Sequence, residues 1–209
     1  MAKRLERDLT SLEYIVLGLI SIEPQTGYSI VTFFDGDVSS WSASPGSIYP
    51  MLKRLEKQEI IAGELEMTHE TRPRKMYTLT ALGASLLDDW LRQRPNMRPF
   101  YQERELAMWR FQFMERRLPL TEVIYWLKDY LATVQMTDAH RQIYHDGVMS
   151  ALDDEGVDSV YRQLVLESSL MEINSMRTWL EMSISRLTTF AKRTGEFDAV
   201  PVDADDKSD

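Results

Sequence analysis

Two runs of hydrophobic residues open the chain, each framed by residues that start or stop a helix. The first, TSLEYIVLGLISI (10–22), begins with a Thr/Ser cap and stays apolar until Pro24 ends it. The second, TGYSIVTFFDG (26–36), places apolar residues at helical spacing and closes at Gly36. The pattern predicts two short, largely buried helices.

A third helix is predicted over SPGSIYPMLKRLEK (44–57), and its two faces differ. Ser44 is placed to cap it with its side chain, and Pro45 suits the first helical position. One face is apolar and carries Ile48, Leu52 and Leu55. At about 100° per residue, the opposite face and its flanks carry Gly46, Ser47, Tyr49, Pro50, Lys53, Arg54 and Lys57. We expect the first face in the core and the second, small and basic, at the surface.

Two β-type runs and a further helix follow. IIAGELEMT (60–68) and RPRKMYTLT (72–80) predict a hairpin, and TALGASLLDDWLRQR (80–94) starts with a Thr cap and continues at helical spacing. The element order is therefore α-α-α-β-β-α. Three helices followed by a two-stranded basic wing are typical of a winged helix-turn-helix, in which the third helix enters the major groove of DNA.

The proline pair in PNMRP (95–99) predicts a boundary, which divides the chain into a DNA-binding domain (1–94) and a helical domain (95–195). The fold class is mostly α. In the last long helix, apolar residues recur in alternating four and three steps, which predicts a seam for another helix. The seam fits either an intramolecular hairpin or a partner chain, and we favour a dimerisation domain. Residues 196–209 are acidic and are predicted to be a disordered tail.

Charge changes this picture only locally. The net charge is −9, which taken alone disfavours nucleic-acid binding, because phosphate contacts need Lys and Arg. Residues 1–95 carry 11 Lys/Arg against 13 Asp/Glu, whereas the rest of the chain carries 13 against 20. Two basic patches, in the third helix and at the start of the second strand, stand out from this acidic background. The absence of cysteine and of a long uncharged run predicts a cytoplasmic protein without membrane spans.

Four motifs occur in the order and spacing of one family. They are GY (27–28), SPGSIYPMLKRLE (44–56), RPRKMYTLT (72–80) and ALG…W (81–90). With them the chain resembles the PadR family of transcriptional regulators over most of residues 10–92, and its helical part resembles the larger branch of that family. One position departs from the family pattern, because Glu59 stands where a glycine is usual. Since Glu tolerates a left-handed helix cap poorly, we expect this helix end to differ.

The resemblance implies a homodimeric, ligand-responsive repressor that binds an inverted-repeat operator in double-stranded DNA. The DNA contacts it implies are Tyr28, Ser47, Tyr49, Pro50, Lys53, Arg54, Arg72, Arg74 and Lys75. In the alternative interpretation, Tyr49 packs against the wing and the basic residues are solvated surface charges.

Aromatic residues are frequent in the helical part, and they suggest a pocket for a small planar aromatic effector. The candidates are Trp109, Trp126, His140 and Arg141, the last two as partners for an acid group. The alternative is that these aromatic residues belong to the helical core.

An enzyme and an adaptor protein are the two alternative function classes. An enzyme needs a site, but the three histidines form no metal-binding pattern, and His140 and His145 lie about 140° apart on a helix. We therefore expect no metal, no cofactor and no catalysis. An adaptor that keeps the winged-helix fold without binding DNA is the second alternative, and the basic wing argues against it.

Overall fold

The computed structural model describes residues 8–35, 43–67, 73–95, 100–154 and 160–195. The helices are α1 (Ser11–Ile22), α2 (Gly27–Asp35), α3 (Pro45–Lys57), α4 (Ala81–Leu91), α5 (Phe100–Met114), α6 (Leu120–Asp154) and α7 (Val160–Thr194). The strands are β1 (Gln25–Thr26), β2 (Ile61–Glu66) and β3 (Arg74–Leu79). This order confirms the predicted mostly helical fold with an N-terminal winged helix-turn-helix. The predicted closing residue Gly36, the wing residue Arg72 and the predicted tail 196–209 lie outside the described residues.

Two helices of the N-terminal part start at the predicted threonine caps. Thr10 Oγ1 accepts a hydrogen bond from the Glu13 amide (3.3 Å), and the Thr10 amide donates to Glu13 Oε2 (2.7 Å). This reciprocal arrangement satisfies two amides at the end of α1. At the start of α4, Thr80 Oγ1 accepts from the Gly83 amide (3.1 Å).

The predicted side-chain cap of α3 was wrong. The Ser44 side chain makes no capping hydrogen bond, and its carbonyl instead accepts from the amides of Ser47 and Ile48. The Ser47 hydroxyl donates to the same carbonyl (2.8 Å). Because the Ser47 amide is already bonded to that carbonyl, it needs no side-chain acceptor. Pro45 occupies the first turn, as predicted.

The sheet has three strands, one more than the sequence predicted. Its order is β1-β3-β2 with antiparallel pairing throughout, and β1 pairs Gln25 with Tyr77 and Thr26 with Met76. A strand of two residues has no alternation of apolar and polar positions, so the period-2 pattern could not reveal it. By this pairing β1 places the start of α2 beside the wing, which we define as β2 and β3.

The end of α3 keeps the left-handed turn, so the expectation of a different helix end was wrong. Glu59 has a φ of 61°, its amide donates to the Glu56 carbonyl, and the Ile60 amide donates to the Leu55 carbonyl. This pair of bonds is a Schellman motif, which favours glycine at the Glu59 position. The Thr80 hydroxyl donates to the carbonyls of Glu59 (2.7 Å) and Ile60 (2.9 Å). These bonds stabilise the left-handed turn although the Glu59 side chain disfavours it.

The described residues form two compact units. The N-terminal unit contains the described residues up to Gln93 together with Met108–Arg117, and the helical unit contains those of Arg94–Ala107 and from Leu118 onwards. In the N-terminal unit, Phe113 is buried against α1, where a Cβ at Gly18 would lie only 2.2 Å from its ring. The predicted domain division at residue 94 stays a prediction.

In the helical unit, α6 and α7 pack against each other. The buried face contains Leu127, Tyr130 and Val134 of α6 and Ile173, Leu180 and Ala191 of α7. The predicted seam is thus used in part within one chain, as the hairpin alternative expected. No helix among the described residues is long and apolar enough to cross a membrane.

Candidate nucleic-acid interface

The two faces of α3 are divided as the sequence predicted. Ile48, Leu52 and Leu55 are fully buried, whereas Ser47, Tyr49, Pro50, Lys53 and Lys57 are exposed. The apolar side chains anchor the helix in the core of the N-terminal unit. Their burial turns the small, aromatic and basic side chains towards solvent.

A surface pocket joins four elements, β1, α2, α3 and β3, beside this exposed face. Its volume is about 260 Å³, and its lining residues come from the β1–α2 junction, α3 and β3: Thr26, Gly27, Tyr28, Tyr49, Arg74, Lys75 and Tyr77. Four of the predicted DNA contacts, Tyr28, Tyr49, Arg74 and Lys75, therefore meet at one place. Thr26, Gly27 and Tyr77 were not predicted to line it, since only the short strand β1 brings the first two beside the wing.

The Tyr49 ring is positioned by a glycine. A Cβ at position 27 would lie 2.5 Å from Tyr49 Cε1, so a larger residue there would displace this ring. Tyr49 nevertheless keeps half of its surface exposed, and Tyr28 is 74% exposed. Packing against Gly27 restricts the Tyr49 ring, and the exposed part can still contact a partner.

Threonine and serine side chains cap the start of α2 at the edge of the pocket. The Thr26 amide donates to Ser29 Oγ (2.9 Å), and the Ser29 amide donates to Thr26 Oγ1 (3.0 Å). Ser29 Oγ also donates to Gln25 Oε1 (2.7 Å). The reciprocal bonds hold the β1–α2 junction in place, and with it Gly27 and Tyr28.

The wing contributes Arg74 and Lys75, and their environments differ. Lys75 Nζ lies 2.7 Å from a carboxylate oxygen of Glu56 on α3 and 5.7 Å from the centre of the Tyr77 ring. The hydrogen bond to Glu56 raises the pKa of the Lys75 ammonium, so Lys75 is charged at neutral pH. Arg74 is exposed. Among the residues that the structure describes, no carboxylate lies within ion-pair distance of Arg74, Lys53 or Lys57.

Arg54 is placed differently from the other predicted contacts. Its guanidinium bonds the carboxylate of Glu13 on α1, with Nε 3.2 Å from Oε1, and 40% of its side chain is exposed. The Glu13 side chain has no exposure. Sequence reasoning missed Glu13, because it lies 41 positions from Arg54 in a helix that otherwise reads as core.

The candidate effector residues lie in both units. In the N-terminal unit, Trp109 is buried and packs against Phe33 and Phe113, with ring centres 5.7 Å apart in each case. In the helical unit, Trp126 is buried beside Tyr130 at 5.5 Å. His140 is exposed on α6, and Arg141 next to it is half-buried. Their role in effector binding stays a prediction, and both tryptophans also serve as core residues.

Comparison with known proteins finds a family that shares this part of the chain. Residues 16–89 match the model of the transcriptional regulator PadR-like family. The chain belongs to this family. That match begins within α1 and ends within α4, and it includes the elements that carry the exposed face of α3 and the pocket.

Similarity to individual PadR proteins extends beyond the matched region. The negative transcriptional regulator PadR of Bacillus subtilis (strain 168) is 28% identical over 180 residues, covering 84% of this chain and 97% of the relative. A crystal structure of B. subtilis PadR in complex with operator DNA is 26% identical, with a TM-score of 0.41, and the match covers 87% of this chain and 99% of that one. A PadR-like regulator from Bacillus cereus strain ATCC 14579 is 35% identical over 37% of this chain and 75% of its own, with a TM-score of 0.34.

Proposed function

We propose that this PadR-family transcriptional regulator is a repressor that binds an inverted-repeat operator as a homodimer, through the exposed face of α3 and the wing. The observation that carries the proposal is the pocket at which Tyr28, Tyr49, Arg74 and Lys75 meet beside that face. Aromatic, hydroxyl and cationic groups together suit a surface that follows sugars and phosphates. The name of the B. subtilis relative, a negative regulator, supports repression.

The exposed face of α3 suits the major groove. Ser47, Tyr49 and Pro50 lie in the first two turns, where a recognition helix contacts base edges, and Lys53 and Lys57 follow one and two turns later. The lysines and Arg74 meet phosphates, which favours binding in spite of the net charge of −9. Local cations at the surface thus outweigh an acidic total.

Exposed apolar residues on the helical unit support the homodimer. Ile143, Tyr144, Tyr161 and Val165 are between 66% and 87% exposed on α6 and α7. A symmetric dimer is the commonest way to cover such a surface, and a two-fold axis matches an inverted repeat. We place the protein in the cytoplasm, where promoter DNA is accessible to it.

The test measures binding of the purified protein to the DNA upstream of its own gene. Binding is monitored by fluorescence anisotropy at several salt concentrations, with random DNA as competitor. We expect specific, salt-sensitive binding by a dimer. The double variant Arg74→Ala/Lys75→Ala should weaken binding to all sequences and flatten the salt dependence, whereas Tyr49→Ala should mainly reduce discrimination between operator and random DNA.

A matched control removes two exposed cations of the helical unit, Arg186→Ala/Lys192→Ala. This variant should bind DNA like the parent. If the wing variant and Tyr49→Ala also bind like the parent, the assigned surface is wrong. A folded dimer that binds no DNA would instead favour the adaptor alternative, which no described contact supports.

A planar aromatic effector, anionic in the simplest case, is the second part of the proposal. The mix of Trp109 and Trp126 with His140 and Arg141 motivates it. Titration with a panel of phenolic acids and planar drugs should change tryptophan fluorescence and weaken DNA binding. Unchanged fluorescence together with unchanged DNA binding across the panel would remove the effector from the proposal.

A further inference from the structure

Glu13 is a buried carboxylate whose two oxygens face different elements. Oε2 accepts hydrogen bonds from the amide (2.7 Å) and the hydroxyl (3.0 Å) of Thr10, at the start of its own helix. Oε1 accepts from Nε of Arg54 on α3 (3.2 Å) and from a terminal guanidinium nitrogen of the same side chain. One carboxylate therefore links the N-terminus of α1 to the last turn of α3.

Because the Glu13 carboxylate is buried, its charge must be compensated by nearby groups. A charged carboxylate without solvent exposure is costly unless charged and hydrogen-bonding partners surround it. A turn of α3 by one residue, about 100°, would carry Arg54 away from Glu13 and break this ion pair. Apolar burial of Ile48, Leu52 and Leu55 is non-directional, whereas the hydrogen bonds between Arg54 and Glu13 require a set distance and angle, so the pair adds a directional constraint on the rotation of α3.

Neighbouring Lys53 offers a contrast on the same helix. Lys53 is exposed, and no carboxylate of the described residues pairs with it. Arg54 has its guanidinium turned to Glu13, so its charge is already balanced within the protein. Of these two adjacent cations of α3, Arg54 is paired within the protein and Lys53 is exposed to solvent.

We propose that Glu13 and Arg54 are positioning residues for DNA binding: their pair fixes the rotation of α3 on α1, so that Ser47, Tyr49 and Lys53 face the groove, and Arg54 makes no phosphate contact. This inference rests on the proposed function. It assigns Glu13 a part in DNA recognition that the sequence did not suggest, and it changes the predicted role of Arg54.

Salt dependence separates the two roles. The variants Lys53→Met and Arg54→Met remove one cation each from adjacent positions and keep a long side chain. For Lys53→Met, we expect the slope of log affinity against log salt to fall by about 1.8, which is about 0.9 for each protomer of the bound dimer, with operator and random DNA affected alike. For Arg54→Met, we expect an unchanged slope on random DNA and a loss of roughly tenfold in the preference for operator DNA.

A charge-conserving variant covers the case in which Arg54→Met fails to fold. Lysine supplies a cation to a phosphate but lacks the fork that bonds a carboxylate through two nitrogens. Arg54→Lys should therefore keep the salt slope and lose operator preference. In Glu13→Gln/Arg54→Met no buried charge remains unpaired, and we expect less loss of preference than the two single variants predict by addition.

The opposite results overturn the inference. A fall in slope for Arg54→Met equal to that of Lys53→Met, or full operator preference in Arg54→Lys, would make Arg54 a phosphate contact. Additive losses in the double variant would also contradict the link through Glu13. A parent protein that binds neither upstream nor random DNA would overturn the proposed function itself, and this inference with it.

Discussion

Besides its apolar core face, α3 makes two ion pairs with neighbouring elements, and the carboxylates of these pairs differ in burial. Towards α1, Arg54 meets Glu13, whose side chain has no exposure. Towards the wing, Glu56 meets Lys75, and these side chains are 30% and 39% exposed. Each pair joins one carboxylate to one cation that the sequence assigned to DNA. The two cations are almost equally exposed, Arg54 at 40% and Lys75 at 39%, so in burial the pairs differ only in the carboxylate. We expect the buried carboxylate of Glu13 to hold its cation more firmly than the partly exposed carboxylate of Glu56 does.

The largest expected difference is in stability. Removing one partner of a fully buried pair costs about 3–5 kcal/mol, and because Arg54 is partly exposed we expect about 2 kcal/mol for Arg54→Met. Lys75→Met should leave the free energy of unfolding almost unchanged, since solvent screens the wing pair. Urea unfolding of both variants measures this. Equal losses in the two variants would contradict the comparison.

The two ion pairs should also differ in how their contribution to stability depends on pH. The contribution of Glu13 changes in acid, and that of Lys75 changes in base. Burial alone would raise the pKa of Glu13, but hydrogen bonds from Thr10 and the Arg54 guanidinium lower it below its ordinary value of 4.5. The stability that Glu13 contributes is therefore present above pH 4.5 and is lost as the pH falls through the lowered pKa. The pKa of Lys75 is raised, so its contribution is present below 10.5 and is lost only as the pH rises through the raised value.

Unfolding of the parent and Glu13→Gln at neutral pH and near pH 3 checks the acid side. We expect the difference in unfolding free energy between them to narrow in acid. A difference that stays constant would show that the carboxylate charge does not stabilise the fold.

The smallest expected effect concerns DNA affinity. Glu56→Gln removes a partly exposed negative charge beside the pocket and releases Lys75, so binding to random DNA should strengthen by about twofold to fivefold. Glu13→Gln should give no such gain, because its charge is buried and already balanced by Arg54. Titrations of random DNA with both variants at several salt concentrations measure these affinities. A gain in affinity in Glu13→Gln and not in Glu56→Gln would contradict the assigned difference between the two pairs.

Much of the fold could be predicted because its signals are local. Helical spacing identified α1 to α4, and alternation with turn residues identified β2 and β3. The same periodicity sorted the two faces of α3 into buried and exposed residues. These features depend on neighbours within one or two turns of the chain.

The parts that could not be predicted depend on distant partners. Nothing near Glu13 in the sequence indicates Arg54, and nothing near Lys75 indicates Glu56. The two-residue strand β1 exists because β3 offers it a pairing edge. Glu59 adopts a left-handed conformation that its own side chain disfavours, because Thr80 and the backbone bonds of Glu59 and Ile60 stabilise the turn.

The Ile60 peptide connects three elements through both of its polar groups. Its amide donates to the Leu55 carbonyl of α3, while its carbonyl accepts from the Thr80 amide (3.2 Å) and hydroxyl at the start of α4. Fraying at the end of α3 would therefore also disturb Thr80, which caps α4, and the start of β2. In native-state amide exchange, this corner should open as one cooperative unit rather than as three separate ends.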